Sequence, residues 1–404
     1  MDYRRKPLKI KRLCKTRGRG YPRKSRILHT MKVLALAAIC LLPAIAHSQA
    51  ERSGPWEMQN SGTTASLRGI HAVGGGVVWA SGTDGTVLRT EDSGYMWQSC
   101  AMPPGAEKLD FRGIWAWDEN TAVVMSSGPG DQSRLYKTTD GCSHWTLVFT
   151  NPDKDGFWDA IQFTTRGHGI MLGDPIRVSN SDGKSDLALT IMKTLDGGTT
   201  WTRDSATEGS IRVADGTGAF AASNSSLAIF ADRVWFGTGG KSGAHVYMAK
   251  FSGPIPRLQI LCDCPEPLPG AKQEFSRYVS VPLASGTDAS GIFSLAFRDD
   301  QHGMAVGGDY TKPNESAGTA AWTADGGQHW TAATKPPQGY RSAVAWDADA
   351  KAWIAAGTNG SDISYDDGKT WQPLDNGNWN ALSLPWIVGP KGRIAKLGAL
   401  PARK

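Results

Sequence analysis

Beyond residue 54 the apolar positions alternate in short runs, and no stretch keeps the 3.6-residue spacing of an amphipathic helix. Seven runs open on an apolar or aromatic pair: Leu67-Arg68-Gly69-Ile70, Phe111-Arg112-Gly113-Ile114, Phe157-Trp158-Asp159-Ala160, Phe220-Ala221-Ala222, Ile292-Phe293-Ser294-Leu295, Tyr340-Arg341-Ser342-Ala343 and Trp379-Asn380-Ala381-Leu382. Each leads to a second apolar run that ends in a Gly-rich turn, at 77–85, 122–130, 169–174, 234–240, 303–309, 353–360 and 386–392. Period-two alternation punctuated by glycine predicts strands, and seven copies predict a repeated sheet with almost no helix.

A third run in five of the units ends in one pattern: a hydroxyl residue, Asp two later, Gly two after that, and Trp five after the Asp. The copies are Thr90-Asp92-Gly94-Trp97, Thr138-Asp140-Cys142-Trp145, Thr194-Asp196-Gly198-Trp201, Thr323-Asp325-Gly327-Trp330 and Ser364-Asp366-Gly368-Trp371. Only the second departs, with Cys142 where the others have Gly. The residue types predict a conformational device. A carboxylate takes backbone N–H groups inside a tight turn, glycine supplies positive φ, and tryptophan gives a plate to pack between sheets. The fourth unit has Val246-Tyr247-Met248 where the pattern should lie, and the seventh stops one strand short, after Ile394-Ala395-Lys396-Leu397. The segment Trp56-Glu57-Met58-Gln59 reads as a strand that follows such a turn but has none before it. The expectation is an all-β, seven-bladed β-propeller with this N-terminal strand completing the last blade and closing the ring.

Charge alters the picture at one end only. The net charge is +6, but residues 1–32 hold thirteen of the basic residues against the single acid Asp2, so the remainder is about −6. The basic balance therefore belongs to a leader, and no nucleic-acid partner is expected. Lys32 precedes an apolar run over 33–45, then Ala46-His47-Ser48 offers small residues at the positions a signal peptidase reads. Residues 1–48 are read as basic leader and signal peptide, with Met31 the natural start, and 49–404 as a single domain, secreted or periplasmic and not membrane-spanning once processed. Four cysteines remain, Cys100, Cys142, Cys262 and Cys264, and they allow three connectivities. Cys100 follows the first turn Trp and Cys142 lies in the second turn, both on the outer parts of adjacent blades, which favours that pair. Cys262-Asp263-Cys264 lacks zinc-ligand spacing and a His pair, and no metal or cofactor is expected.

The repeated turn resembles the Asp box, or BNR repeat, found in sialidases, other glycosidases, sortilin-type receptors and the photosystem II stability/assembly-factor family. Asp-Gly-Gly-x-x-Trp turns combined with aromatic-Arg-Gly-Ile first strands resemble the last of these, over about residues 54–397. The resemblance implies a non-enzymatic monomeric module whose arginine-lined face holds membrane-protein assembly intermediates. In that frame Arg68, Arg112 and Arg341 share one repeat position in blades one, two and six, Asn380 takes it in blade seven, and Trp158, Ala221 and Phe293 take it elsewhere. The arginines are then either a carboxylate or anion site at the channel mouth, or partners of Asp residues in the Gly-rich turns, such as Asp84 or Asp309.

A sialidase-like or other glycoside hydrolase acting on an anionic or extracellular glycan is the competing expectation. It would require a Tyr–Glu pair and an acid/base Asp, for which Tyr340, Tyr278, Glu274 and Asp159 are candidates without diagnostic spacing. Gly239-Gly240-Lys241-Ser242 imitates a phosphate loop, and Gly216-Thr217-Gly218 a dinucleotide loop, but neither leads into a helix.

Overall fold

A computed structural model describes residues 54–401 apart from 165–166, 180–182, 184, 204–210, 253–256 and 261–277. The leader 1–48, Cys262, Cys264 and Glu274 lie outside the described residues. The fold is all-β and antiparallel, with one short 3-10 turn, Gly130–Gln132, among the described residues.

Most neighbouring strands within a sheet are also consecutive in the chain. Leu67–Gly74, Val77–Gly82, Val87–Thr90 and Gln98–Ser99 form the first sheet, and Phe111–Ala116 to Thr146–Thr150 the second. A five-stranded sheet starts at Trp158–Phe163. The next sheet counts ten strands, but a single bridge, Gly239 to Gly291, joins its Arg233–Gly240 half to its Ser290–Phe297 half. Two four-stranded sheets follow, starting at Ala343–Asp347 and Ala381–Ser383. The last takes Trp56–Gln59 as its fourth strand, with Trp56 opposite Leu397 and Gln59 opposite Ile394. The Trp56 indole also donates to Ser361 Oγ in the preceding sheet, at 2.8 Å.

The core lies between sheets. Trp79, Val87 and Phe111 pack with Val124, Tyr136 and Trp145 between the first two sheets. Comparable clusters join each later neighbour to the next. Leu67, Leu88 and Trp97 pack against Trp386, Val388 and Ile394, so the first sheet is also joined to the last. Alternation explains this: each strand presents apolar residues to both flanking sheets.

The five turns share one set of bonds. Thr90 Oγ1 donates to Asp92 Oδ1 (2.7 Å) and accepts the N–H of Gly94 (3.1 Å), while Asp92 Oδ1 also accepts the N–H of Met96 (3.0 Å). The bonds recur at Asp140, Asp196, Asp325 and Asp366, at 2.8 to 3.1 Å. Two successive residues take positive φ, and at the second turn Cys142 does so at +62°, bonded through sulfur to Cys100. The indoles of Trp201, Trp330 and Trp371 close the turn by donating to the carbonyl of the turn glycine, each at 3.1 Å.

The first strand of each sheet, here the lead strand, carries a one-residue irregularity. Pairing skips Arg68, Arg112, Asp159 and Phe293. Ser342 and Asn380 occupy the same place, each bonding the carbonyl that faces the following residue. A bulge leaves one side chain outside the ladder and re-aims it. In the fourth sheet the irregularity is far larger. The chain pairs at Gly218, leaves the sheet over 219–226, and returns at Leu227. The expected first strand at Phe220-Ala221-Ala222 is therefore corrected: those residues are not a strand, and the lead strand is Leu227–Phe230.

Candidate functional site

The excursion 219–226 reaches the lead strands of four other sheets. Arg112 donates to the Ala221 carbonyl (3.2 Å), Asn224 Oδ1 accepts the N–H of Ile161 (2.7 Å), and Asn224 Nδ2 donates to the Ile114 carbonyl (3.3 Å). Ser223 Oγ donates to the Ser342 carbonyl (2.5 Å), and Ser225 Oγ to Ser294 Oγ (2.7 Å). Asn224 holds positive φ, +64°, which asparagine tolerates better than most residues. Ser223, Asn224 and Ser225 thus each bond to other lead strands, which is what lets this polar run lie in the interior, although the buried Ser226 hydroxyl has no partner.

The excursion separates two cavities. The first, about 440 Å³, is lined by Ala219 to Ala222 and by every bulge residue: Arg68, Arg112, Asp159, Phe293, Ser342 and Asn380. The second, about 450 Å³, is lined by Ser223 to Ser225 and by residues further along the lead strands, among them His71, Trp115 and Trp346. There His71 stacks on Trp115 at 4.2 Å and its Nδ1 accepts the Ala116 N–H at 3.2 Å. Burial lowers the His71 pKa to about 4, so the ring is neutral at physiological pH.

Charge distinguishes the first cavity. Asp110 ties its two arginines together: Arg112 Nε donates to Oδ2 at 2.8 Å, and Arg68 Nε lies 3.8 Å from Oδ1. Their side chains remain 27% and 30% exposed, although the Arg68 Nε itself is buried. Burial lowers the Arg68 pKa, with Asp110 opposing and Arg112 adding to the fall. Two acids line the same cavity. Asp159 is 1% exposed and its Oδ2 has no hydrogen-bond partner; Asp174 Oδ1 accepts the Ala219 N–H at 2.9 Å. Burial raises both carboxyl pKa values, that of Asp159 far above the usual range, with the Asp174 charge adding and Arg112 opposing. Phe220 and Phe293 stack at 3.9 Å, and Tyr340 meets Phe293 edge-on at 4.8 Å. Burial raises the Tyr340 hydroxyl pKa, which the charges of Arg68 and Arg112 partly counter.

Arg341 is a correction. It lines neither cavity and is fully buried, with Nε donating to Asp362 Oδ2 at 2.7 Å, Nη1 to the Tyr340 carbonyl at 2.7 Å and to Asn359 Oδ1 at 2.5 Å, and Nη2 to Asp362. Its place in the repeat is that of Leu67, Phe111, Trp158, Ile292 and Trp379, one residue before the bulge, where the side chain points between sheets. Ser342 holds the cavity position in that sheet, and Asp159, not Trp158, holds it in the third. A one-residue slip reverses the face of a side chain, so the sequence alignment that paired Arg341 with Arg68 exchanged inside for outside. Neither Asp84 nor Asp309 pairs with these arginines; Asp110 and Asp362 do. Asp174 was not singled out by sequence. The sequence expectation of a turn ending at 174 is corrected: the strand runs over Gly169–Ser179, and Asp174 sits within it at a bulge that the pairing skips between Gly173 and Pro175.

Of the hydrolase candidates, Asp159 and Tyr340 reach the cavity. Tyr278 lies elsewhere, against His245 at 4.1 Å. Among the described residues no group of three or more His, Cys, Asp or Glu is placed to hold a metal ion, and no helix is long and apolar enough to cross a membrane.

No protein-family model matches the chain, and no curated protein matches it by sequence. Solved structures do resemble it. The structure of YCF48 bound to a D1 peptide aligns over 86% of this chain and 98% of that one, at 16% identity and a TM-score of 0.52. The WD40 β-propeller domain of Doa1 aligns over 84% and 96%, at 8% identity and a TM-score of 0.51. An ancestral GH74 enzyme aligns over 83% of this chain and 41% of its own, at 14% identity and a TM-score of 0.45, too low to bear on chemistry. The chain is thus all-β with the fold of a β-propeller similar to that of YCF48.

Proposed function

We propose that residues 49–404 are an exported seven-bladed propeller that captures a segment of a partner protein in the charged cavity, with Arg68 and Arg112 meeting a carboxylate of that segment. The observation that carries this reading is the bulge: the same irregularity in successive lead strands turns one side chain from each into a single cavity, two of them partly exposed arginines. Guanidinium groups suit planar carboxylates. YCF48, of similar fold, has a structure with a D1 peptide bound. Seven blades are supported by the near-independence of the two halves of the ten-stranded sheet, and closure by the pairing of Trp56–Gln59 with Ile394–Leu397. The bond pattern at Asp92, Asp140, Asp196, Asp325 and Asp366 supports Asp-box repeats. The basic leader and apolar run support export.

The test is fluorescence anisotropy with labelled peptides that end in a free carboxylate or in an amide. The free carboxylate should bind about tenfold or more tightly, the equivalent of one charge-assisted hydrogen bond, and Arg68→Gln with Arg112→Gln should remove the difference. Equal binding of both peptide forms rejects the reading.

Glycoside hydrolysis is the second reading, favoured by two carboxyl groups of raised pKa in one cavity. Arg341 cannot complete a three-arginine carboxylate holder, because it is buried against Asp362. Turnover of a glycan panel that Asp159→Asn abolishes would establish this reading over the first.

A further inference from the structure

We propose that Asp159, with Asp174 beside it, forms a second subsite in the same cavity for a basic group, so that the captured segment carries a lysine ammonium or arginine guanidinium as well as a carboxylate. The inference rests on the reading that this cavity is the binding surface.

Three observations converge on it. Asp159 is buried at the bulge of its lead strand, and its Oδ2 has no hydrogen-bond partner. A buried polar atom left unpaired costs free energy in either protonation state, so the fold keeps a group here that its own residues do not satisfy. Asp174 lines the same cavity, and its Oδ1 accepts the Ala219 N–H. The cavity also carries aromatic faces: Phe220 and Phe293 stack, with Tyr310 at 6.1 Å from Phe293. Acids against aromatic faces suit a cation, which gains from both. Arg68 and Arg112, tied by Asp110, line the same cavity, and the Arg112 charge acts on Asp159. A cavity lined by charges of both signs is complementary to a ligand that is itself doubly charged.

Burial is the largest influence on Asp159 and raises its pKa; the Asp174 charge adds to the rise and the Arg112 charge opposes it. An entering cation reverses that balance. Any proton that Asp159 holds before binding leaves to solvent as the ligand binds, and no other species is consumed.

The experiment is calorimetry on the full processed chain with ω-amino carboxylates of increasing length, from β-alanine to 8-aminooctanoate, against the matched alkyl carboxylates and alkylammonium ions. At the best length the amino group should tighten binding about tenfold, and Asp159→Asn should bring that ratio to about one. The enthalpy should also differ between phosphate and Tris buffers, reporting a released proton, and Asp159→Asn should abolish the difference. If that variant fails to fold, Asp174→Asn provides the same comparison, with a reduced ratio expected. Carboxylates that bind without any gain from the amino group overturn this inference and leave the proposed function standing. Alkylammonium binding that depends on Asp159 without carboxylate binding supports the inference and overturns the arginine reading. No binding by any probe overturns both.

Discussion

Asn224 and Ile161 lie 63 residues apart, yet the side-chain oxygen of one accepts the backbone N–H of the other at 2.7 Å. The bond crosses from the excursion of the fourth sheet to the lead strand of the third. The same side chain donates to the Ile114 carbonyl in the second. Removing it leaves buried groups on two strands unpaired. Asn224→Ala should therefore cost about 1–3 kcal/mol in urea denaturation. Asn224→Gly keeps the positive φ at no steric cost, so comparing the two separates lost bonds from backbone strain.

Arg341 shows what happens when a charged residue occupies a position built for apolar ones. It is held by Asp362 and by its hydrogen bonds to Tyr340 and Asn359. Burial lowers the Arg341 pKa and raises that of Asp362, and their mutual attraction opposes both shifts. Either Arg341→Ala or Asp362→Ala should destabilise by about 3–5 kcal/mol, because each strands a buried charge. Arg341→Met combined with Asp362→Leu should recover most of that loss in the same denaturation series.

The turn carboxylates predict an acid limb. Hydrogen bonds from the His144 side chain and backbone hold the Asp140 pKa at about 2. For Asp196 burial pushes upward, but hydrogen bonds from Thr200, Thr194 and Thr199 outweigh it and give about 2. Unfolded Asp titrates near about 3.9. The folded values are lower, so the stabilisation is fully present above about pH 4 and is lost as pH falls toward about 2. Melting temperature followed from pH 5 to 2 should drop through that window, and Asp196→Asn should flatten the drop.

Asp159 predicts the opposite sign. Its folded pKa lies above the unfolded value, so its contribution is most favourable below about pH 4 and worsens as pH rises toward the folded pKa. Asp159→Asn should therefore melt higher than the parent at neutral pH, by the equivalent of about 1–3 kcal/mol, with the gap closing in acid. A variant less stable than the parent at pH 7 would show that the carboxylate has a structural partner.

What the sequence revealed follows the range of each interaction. The five Asp-x-Gly-x-x-Trp turns were legible because hydroxyl, carboxylate and N–H lie within a few residues of one another, and local spacing fixes that chemistry. The Cys at 142 was legible as a departure, though not that it holds positive φ as glycine does elsewhere. Alternation located most strands, but it could not decide between Trp158 and Asp159, or between Arg341 and Ser342. A bulge adds one residue to the count, and its place depends on the partner strand. Arg68, Arg112 and Asn380 carry a clearer signal, since each directly follows a large apolar residue, Leu67, Phe111 or Trp379. The excursion was illegible for a different reason: Ala-Ser-Asn-Ser-Ser reads as a surface loop, and only partners on four other lead strands make it an interior one.

The excursion also decides what can enter the charged cavity. Residues 219–222 line one cavity and 223–225 the other, so a chain threaded from one to the other would have to displace this segment and its bonds to four lead strands. An occupant must come and go by the same opening, so chain ends and tight hairpins can reach the bottom, while an extended mid-chain stretch can only lie across the rim. The segment thus acts as a filter on the topology of the guest, before any charge is read.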